Sequence, residues 1–292
     1  MPAPSKFAEA LKSGAFLVTC ELDPPKGIDP SLKGDKIKAL REKAQALVVS
    51  DNHNARLHMA PLGFCRYLLD QGFDPVMTIT CRDRNRLALQ SDLLAAAGLG
   101  IQNILAVTGD YMTWGDHPES KPVYDLDAVQ LLWAISKLNL NQDISGNPLE
   151  GPAPSFTFGA AVSLAAHPVL PEVLKFRKKE RSGAHFFMSQ PILELAGVEE
   201  FFKEVRDLKI PLLASVCLLK EEQIRDYGPG QYPGLNIPRG LLENWQALKP
   251  GEVRPKMMEH AARLIEAIKK DGRFQGVHLM LQGEEELIGE LI

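Results

Sequence analysis

The 292-residue sequence has only four cysteines, and none of them belongs to a C-x-x-C motif. Cys20, Cys65, Cys81 and Cys217 lie far apart along the chain. Iron–sulfur clusters and structural zinc sites need clustered thiolates, so the spacing excludes both kinds of site within this chain. We therefore predict four buried free thiols, as expected in a reducing compartment.

Excess positive charge and long apolar runs are also lacking. The formal net charge is -4 at pH 7, whereas nucleic-acid-binding proteins normally present a basic face. No apolar run approaches the roughly 20 residues needed to span a bilayer. Residues 1–12 are polar and amphipathic, without the apolar core of a secretion signal. These absences predict a cytoplasmic protein that binds no nucleic acid and does not span a membrane.

What the sequence does contain is an alternation of short apolar runs with amphipathic segments. Hydrophobic residues make up 45% of the chain, enough for a sizeable core. The runs are apolar on both faces, as the strands of a buried parallel sheet are. The predicted strands are Phe16–Cys20, Ala46–Ser50, Val76–Cys81, Ile104–Thr108, Phe156–Val162, Phe186–Ser189, Leu212–Val216 and Val277–Leu281.

Helical patterns lie between these runs. The predicted helices are Asp35–Gln45, Ala60–Gln71, Leu87–Gly98, Asp127–Lys137, Glu172–Ser182, Val198–Leu208, Leu241–Leu248 and Val253–Lys270. Repeated strand–helix units predict an α/β fold, a (β/α)8 TIM barrel, as a single domain over residues 1–292 with a short N-terminal helix. An open doubly wound sheet is the alternative. Such sheets usually have a glycine-rich turn after the first strand, where this chain has Pro24 and Pro25.

Three connections are longer than a barrel requires. They are Tyr111–Asp125, Asn139–Pro154 and Asp226–Pro238, and all three contain both glycine and proline. Long ordered loops in compact domains tend to be lids or interfaces. We therefore interpret these connections as candidate lids or interfaces.

Polar side chains gather where the predicted strands end, which is the end at which barrel enzymes place their chemistry. The set is Glu21, Ser50, Asp51, Thr80, Arg82, Thr108, Asp110, Ser163, His167, Ser189 and Gln190. A random surface would scatter such residues. Their grouping predicts a site at the carboxyl end of the barrel.

Glu21 and Asp110 are the two candidate catalytic carboxyl groups. Glu21 ends the first run, and a partly dehydrated carboxyl group there would have a raised pKa, which suits a general acid. A structural ion pair with Arg82 or a lysine is the alternative. Asp110 follows Gly109, which allows close backbone approach to a ligand. The alternative for Asp110 is a loop carboxylate that caps the next segment.

The charged run from Arg82 to Arg86 allows two interpretations. Its arginines could hold a diphosphate or a carboxylate tail through bidentate contacts, or they could form a solvated helix entrance with salt bridges. The seven histidines show no metal-binding spacing, so we interpret them as non-ligands. Ser163 and Ser189 have no obvious base partner, which argues against a nucleophilic triad.

Read together, these positions resemble the 5,10-methylenetetrahydrofolate reductase family, and most closely the type found in anaerobic one-carbon pathways. The resemblance spans nearly the whole chain in the same order. The matching segments are residues 21–26 (ELDPPK), 80–82 (TCR), 100–110 (GIQNILAVTGD), 167–168 (HP), Lys179 with 183–184 (GA), 189–190 (SQ) and 276–279 (GVHL).

The resemblance implies a flavoenzyme that reduces 5,10-methylenetetrahydrofolate to 5-methyltetrahydrofolate. Glu21 matches the general acid, which protonates N10 and opens the ring to an iminium that accepts hydride from flavin N5. Asp110 matches the carboxylate that favours the iminium, and Gln190 matches a folate contact. The implied flavin-contacting positions are Ser50, Thr80, Arg82, Thr108, Gly109, Asp110, Ser163, His167, Glu172 and Lys179.

Departures from the family pattern bear on the cofactor and the electron donor. The resemblance implies FAD as the cofactor. Thr108 stands where arginine is common, which weakens an inherited flavin contact, so FMN is the alternative. Leu279 and Met280 stand where an aromatic residue would stack on a nicotinamide. The donor is thus either NAD(P)H or an iron–sulfur partner subunit, and we expect an oligomer. Two other functions stay open: a pterin-binding barrel methyltransferase without flavin, and a non-catalytic barrel subunit of a redox complex.

Overall fold

The computed structural model describes residues 4–227 and 234–292, and its centre is a closed barrel of parallel strands. Neighbouring strands in the chain are neighbours in the barrel, and the last strand pairs with the first. The (β/α)8 prediction is therefore confirmed. The strands are β1 (Leu17–Leu22), β2 (Ala46–Val49), β3 (Pro75–Thr80), β4 (Asn103–Val107), β5 (Thr157–Val162), β6 (Phe186–Pro191), β7 (Leu212–Cys217) and β8 (Gly276–Met280).

Helices pack around the outside of this barrel. They are α1 (Lys6–Ser13), α2 (Gly34–Leu40), α3 (Pro61–Asp70), α4 (Arg86–Gly98), α5 (Ala128–Asn139), α6 (Leu170–Arg181), α7 (Glu199–Glu204), α8 (Glu221–Arg225), α9 (Arg239–Gln246), α10 (Val253–Asp271) and α11 (Ile288–Leu291). The short helices α8 and α11 have no counterpart in the sequence prediction. Helix α2 ends earlier than predicted because Arg41 is extended and Glu42 has a φ of 66°.

The amino-terminal end of the barrel is sealed by α1. Phe7 is fully buried and its ring meets that of Phe186 edge to face, with the centroids 5.1 Å apart. The Phe7 N–H donates to Asp74 at 2.6 Å, and Asn103 donates to the other oxygen of the same carboxylate at 2.9 Å. Ser5 caps α1 and also donates to Asn103. This end is therefore closed by apolar packing and by polar groups that pair with one another.

The outer core fills the space between strands and helices, and all four cysteines are buried and free. The prediction of buried thiols is thus confirmed. Burial raises the pKa of Cys81 and Cys217 to about 12, so neither is poised as a nucleophile. No helix in the described part of the chain combines the length and apolar character of a membrane span. Residues 228–233, in the middle of the predicted loop Asp226–Pro238, lie outside the described residues.

Candidate active site

A cavity of about 370 Å³ opens at the carboxyl ends of the strands, within the usual range for small-molecule sites. It gathers side chains from loops that are remote in sequence. The predicted site residues that line it are Glu21, Ser50, Thr80, Arg82, Thr108, Gly109, Asp110, Ser163, Glu172, Lys179 and Gln190. The resemblance assigns a role to twelve residues, and the structure brings eleven of these to one cavity.

His167 is the predicted site residue that lies elsewhere. Its side chain is 84% exposed, and its nearest charged partner is Glu200 at 3.7 Å. It borders a separate groove beside Glu194 and Asn236. The structure therefore does not bring His167 together with the other predicted residues.

Glu21 lies near the end of β1 with its side chain only 17% exposed. Its Oε1 is 3.3 Å from Nδ1 of His53. Burial raises the pKa of Glu21 to about 7, although the His53 charge opposes the rise. The carboxyl group can therefore hold a proton near neutral pH and release it, as a general acid must. Its charged partner is His53, which replaces the Arg82 or lysine partner considered from the sequence.

His53 was not among the predicted site residues. The Glu21 carboxylate raises the pKa of His53 to about 10, against the effect of burial. Nδ1 of His53 also lies 3.7 Å from Asp23, and Ser50 donates a hydrogen bond to the same Asp23 oxygen. Burial acts to raise the pKa of Asp23, but the neighbouring His53 and the hydrogen bond from Ser50 keep it below its usual range.

Asp110 lines the same cavity as Glu21. Its Oδ2 accepts a hydrogen bond from the Asn54 N–H at 3.0 Å. Gly109 precedes it with a φ of 100°, and a Cβ there would approach Thr80 Oγ1 to 2.0 Å. Only glycine permits that approach. The turn therefore delivers the Asp110 carboxylate to the rim while its backbone packs against the end of β3.

The arginines of the charged run are paired with aspartates. Arg82 donates twice to Asp83, at 2.8 Å each, and its side chain is only 1% exposed. Arg84 donates to Asp51 at 2.7 Å, and Arg86 donates to Asp125 at 2.9 Å. The interpretation of the run as a salt-bridged helix entrance agrees with this geometry. Arg82 still lines the cavity, but its guanidinium already has a bidentate partner.

Lys179 and Glu172 form the opposite wall, on α6. The Lys179 ammonium donates to the Ala161 carbonyl at 2.6 Å, and burial lowers the pKa of this lysine. Glu172 accepts a hydrogen bond from the Ser163 N–H at 3.0 Å. A lysine has three N–H donors, and Ala161 is the acceptor found for it within the described residues. The remaining donors are available to an anionic or carbonyl group in the cavity.

The floor of the cavity is formed by buried polar residues of the strands. His278 on β8 is 4% exposed, and its Nδ1 lies 3.0 Å from Thr19 Oγ1. Burial lowers the pKa of His278 to about 4, so this ring is neutral at pH 7. Ser215 donates to the Ser189 carbonyl. A neutral, hydrogen-bonded floor therefore lies beneath a charged rim.

Glu21, Asp23 and His53 each present one ligand-type atom, and these atoms lie within 4.8 Å of one another. Such spacing suits a shared proton as well as a small cation. The imidazole already faces two carboxylates, and Asp23 also accepts from Ser50. We therefore interpret the group as a hydrogen-bonded ion pair that is satisfied without a metal.

Comparison with known proteins identifies the family of this chain. The family model described as methylenetetrahydrofolate reductase matches residues 6–292. The chain belongs to the methylenetetrahydrofolate reductase family. A relative from Caenorhabditis elegans, a probable methylenetetrahydrofolate reductase (NADPH), is 22% identical over 230 residues. The match covers 76% of this chain, and the chain spans about a third (32%) of the length of that relative.

Solved structures share the fold of this family member. One neighbour is an uncharacterised protein from Clostridium thermocellum that binds two copies of 5-methyl-5,6,7,8-tetrahydrofolic acid. It aligns with a TM-score of 0.61 at 12% identity, over 97% of this chain and 95% of its own. The barrel of 2,3-dimethylmalate lyase aligns with a TM-score of 0.55 at 11% identity, over 99% and 84%. Identities this low establish a common barrel and no more.

Proposed function

We propose that this protein reduces 5,10-methylenetetrahydrofolate to 5-methyltetrahydrofolate with a bound flavin, and that Glu21 is the general acid. The observation that carries the proposal is a carboxyl group at the barrel mouth whose pKa lies at about 7. Protonating an amine nitrogen of the substrate requires an acid that is still protonated near neutral pH. Family membership supports the substrate class, and the neighbour that binds methyltetrahydrofolate is compatible with it.

The residues of the cavity fit a flavin. Its wall holds a half-buried lysine with N–H donors to spare, which suits a ring carbonyl or a phosphate. Ser163, Glu172 and Thr108 line the same wall and could contact the cofactor beside Lys179. We propose FAD, with FMN as the alternative. When bound, the flavin would supply the hydride that converts the one-carbon unit to a methyl group.

The chain's own residues would then handle proton and charge. Glu21 donates its proton to N10 of the folate, which opens the five-membered ring to a cationic iminium. Asp110, which lines the same cavity, stabilises that cation electrostatically. Gln190 lies on the cavity wall beside Gly234, where a Cβ would approach its Oε1 to 2.5 Å, and we assign it to folate binding. The buried floor keeps bulk water from the reacting carbon.

The proposal also covers the electron donor and the oligomeric state. All four cysteines are buried, so electrons would come from NAD(P)H or from a partner subunit that carries an iron–sulfur cluster. We propose a cytoplasmic oligomer, as expected from the sequence and from the resemblance. Anaerobic bleaching of the flavin by NADH or NADPH would distinguish the two donors.

The proposal is tested on the purified protein, first by identifying any flavin released on denaturation. The bound flavin is then reduced with dithionite and mixed anaerobically with methylenetetrahydrofolate, and its reoxidation is followed by absorbance. We expect Glu21→Gln to bind flavin normally yet to reoxidise it on the order of a hundred- to ten-thousandfold more slowly, the usual range for losing a general acid.

Two outcomes would contradict the proposal. A Glu21→Gln variant that reoxidises flavin at the wild-type rate would remove Glu21 from the chemistry. A colourless protein that binds no added flavin and transfers methyl groups from methyltetrahydrofolate to a corrinoid would instead be a pterin-dependent methyltransferase. The neighbour that binds methyltetrahydrofolate is the observation that keeps this second function in view.

A further inference from the structure

A strained turn follows β2 and carries His53 at its centre. Asn52, Asn54 and Ala55 adopt left-handed backbone conformations, with φ of 50°, 55° and 55°. Asparagine tolerates this region, but alanine in it is strained because its Cβ approaches the following carbonyl oxygen. Strain of this kind persists only where surrounding contacts over-determine the backbone, and it concentrates at functional sites. The strain therefore indicates that this turn has a functional role.

Contacts from two loops hold this turn. Arg82, after β3, donates to the Asn52 carbonyl at 3.2 Å. Asp110, after β4, accepts from the Asn54 N–H. Gly115, in the same loop as Asp110, packs so closely that a Cβ would lie 1.8 Å from the Ala55 carbonyl oxygen. All three contacts are made to the backbone of the turn and none to the His53 imidazole. Their common effect is therefore to fix the backbone that carries His53.

The rest of the segment is tied down in the same way. Asp116 accepts from the Leu57 N–H at 3.0 Å and pairs with Lys26 at 2.6 Å. The Met59 N–H donates to the Pro25 carbonyl at 2.9 Å. The segment after β2 is thus bonded to the segment after β1, which contains Asp23. Both partners of His53, Glu21 and Asp23, belong to the β1 side of this junction.

We propose that His53 is the positioning residue of Glu21: it holds the carboxyl group at the barrel mouth and returns a proton to it from solvent after each turnover. The inference deepens the proposed function and rests on it. Glu21 is 17% exposed, His53 is 28% exposed and Asp23 is 36% exposed. The three groups therefore form a graded path from the cavity to bulk water.

The proton balance of this step is simple. After Glu21 has given its proton to the folate nitrogen, it is a carboxylate beside an imidazolium. The N–H bond at Nδ1 of His53 breaks, and an O–H bond forms on Glu21 across the 3.3 Å contact. The neutral imidazole then takes a proton from water that reaches the Asp23 side. No electron moves, and the cycle ends with both groups as they began.

Other titratable groups also face this pair. Asp23 and Asp110 act on both Glu21 and His53, and Glu285 acts on Glu21 from beyond β8. His278 faces His53 from β8, and His58 acts on Asp23. The acidic neighbours favour the imidazolium, whereas neutral His278 adds no charge at pH 7. The surroundings therefore keep a cation next to Glu21.

A nuclear magnetic resonance titration of the imidazole nitrogens tests the inference on the full chain without substrate. The His53 signal is assigned as the one missing from His53→Asn. We expect it to stay protonated well above pH 7, close to a midpoint of about 10, and we expect its midpoint to fall toward 6.5 in Glu21→Gln. A His53 midpoint near 6.5 in the wild-type protein would overturn the inference even if Glu21 is the acid.

The kinetic arm uses flavin reoxidation by methylenetetrahydrofolate across pH. Removing the imidazolium by His53→Asn should raise the pKa of Glu21, so the alkaline fall in rate should move up by about one pH unit or more. The maximal rate should drop on the order of ten- to a hundredfold because the acid is misplaced. His117→Asn, which removes an exposed imidazole beside Asp116, is the matched control and should leave both quantities unchanged.

Two results would speak against His53 in different ways. An unshifted alkaline limb in His53→Asn would show that the imidazole does not act on Glu21. Stoichiometric metal in the purified protein, lost in His53→Asn, would make the residue a ligand instead. If Glu21→Gln is fully active while His53 titrates near pH 10, the proposed function fails but the ion pair stands. If His53→Asn does not fold, the titration still decides through Glu21→Gln: the His53 signal is then the one whose midpoint falls in that variant, and the absence of any such signal would overturn the inference.

Discussion

The two ends of the barrel differ: the amino-terminal end is closed, and the carboxyl end opens into a cavity. At the amino-terminal end, α1 closes the lumen with Phe7, and Ser5, Asn103 and Asp74 satisfy one another. At the carboxyl end, Glu21, His53 and Asp110 face a cavity and carry unbalanced charge. Polar groups at the amino-terminal end pair with one another and stabilise the fold, whereas those at the carboxyl end face the cavity and can contact a ligand. Substitutions at the two ends should therefore separate stability from activity.

The largest effect on stability should come from Phe7→Ala at the closed end. Phe7 is fully buried, and removing a buried phenylalanine costs about 3–5 kcal/mol of unfolding free energy. Denaturant unfolding should show this loss, while the flavin reoxidation rate per folded molecule stays at the wild-type value. Leu174→Ala, at a residue 64% exposed, is the control and should be near neutral. A Phe7→Ala variant with normal stability would contradict the sealing role of α1.

At the open end, Asp110→Asn should reverse that pattern. The amide keeps an oxygen that can accept from the Asn54 N–H, so stability should change little. Loss of the negative charge should slow folate-dependent flavin reoxidation about a hundredfold, as for one electrostatic contact. Glu119→Gln, an exposed acid in the same loop, serves as the control. An Asp110→Asn rate equal to that of the wild type would remove Asp110 from the mechanism.

Lys179→Met should give a smaller effect, confined to cofactor binding. A hydrogen bond from a charged donor contributes about 1.5–3 kcal/mol, so flavin affinity should fall roughly ten- to a hundredfold when measured by fluorescence titration. The neighbouring Lys178 is exposed on the same helix, and Lys178→Met should bind flavin as the wild type does. Equal affinity in both variants would place the flavin away from Lys179.

The contrast between the ends also explains what could be read from the sequence. Alternating buried strands and helices predict the barrel, and Glu21 and Asp110 are found because they follow strand ends. His53 was missed because its position depends on a left-handed turn held by loops that are distant in the chain. Asn52 and Asn54 on either side of His53 were the available signal, since asparagine is enriched in left-handed backbone.

Side-chain pairing was the other limit. The sequence places Arg82 beside Asp83 but does not reveal that the guanidinium is buried and paired there. Likewise, the sequence does not say that the loop after β5 leaves His167 exposed, away from the cavity. Both facts depend on how loops fold over the rim, which local patterns do not encode. At the closed end the sequence predicts a short N-terminal helix, but not that Phe7 packs on Phe186 or that Ser5, Asn103 and Asp74 pair with one another.

The central claim is that a protonated Glu21 at the open end drives ring opening. The most direct measurement is the pH dependence of single-turnover flavin reoxidation by methylenetetrahydrofolate. Because the acid must be protonated and its pKa is raised to about 7, the rate should be highest below this pH and should fall as the pH rises through it. Glu21→Gln should lack this limb. A rate that stays flat through neutral pH in the wild type, or a limb retained in Glu21→Gln, would contradict the account.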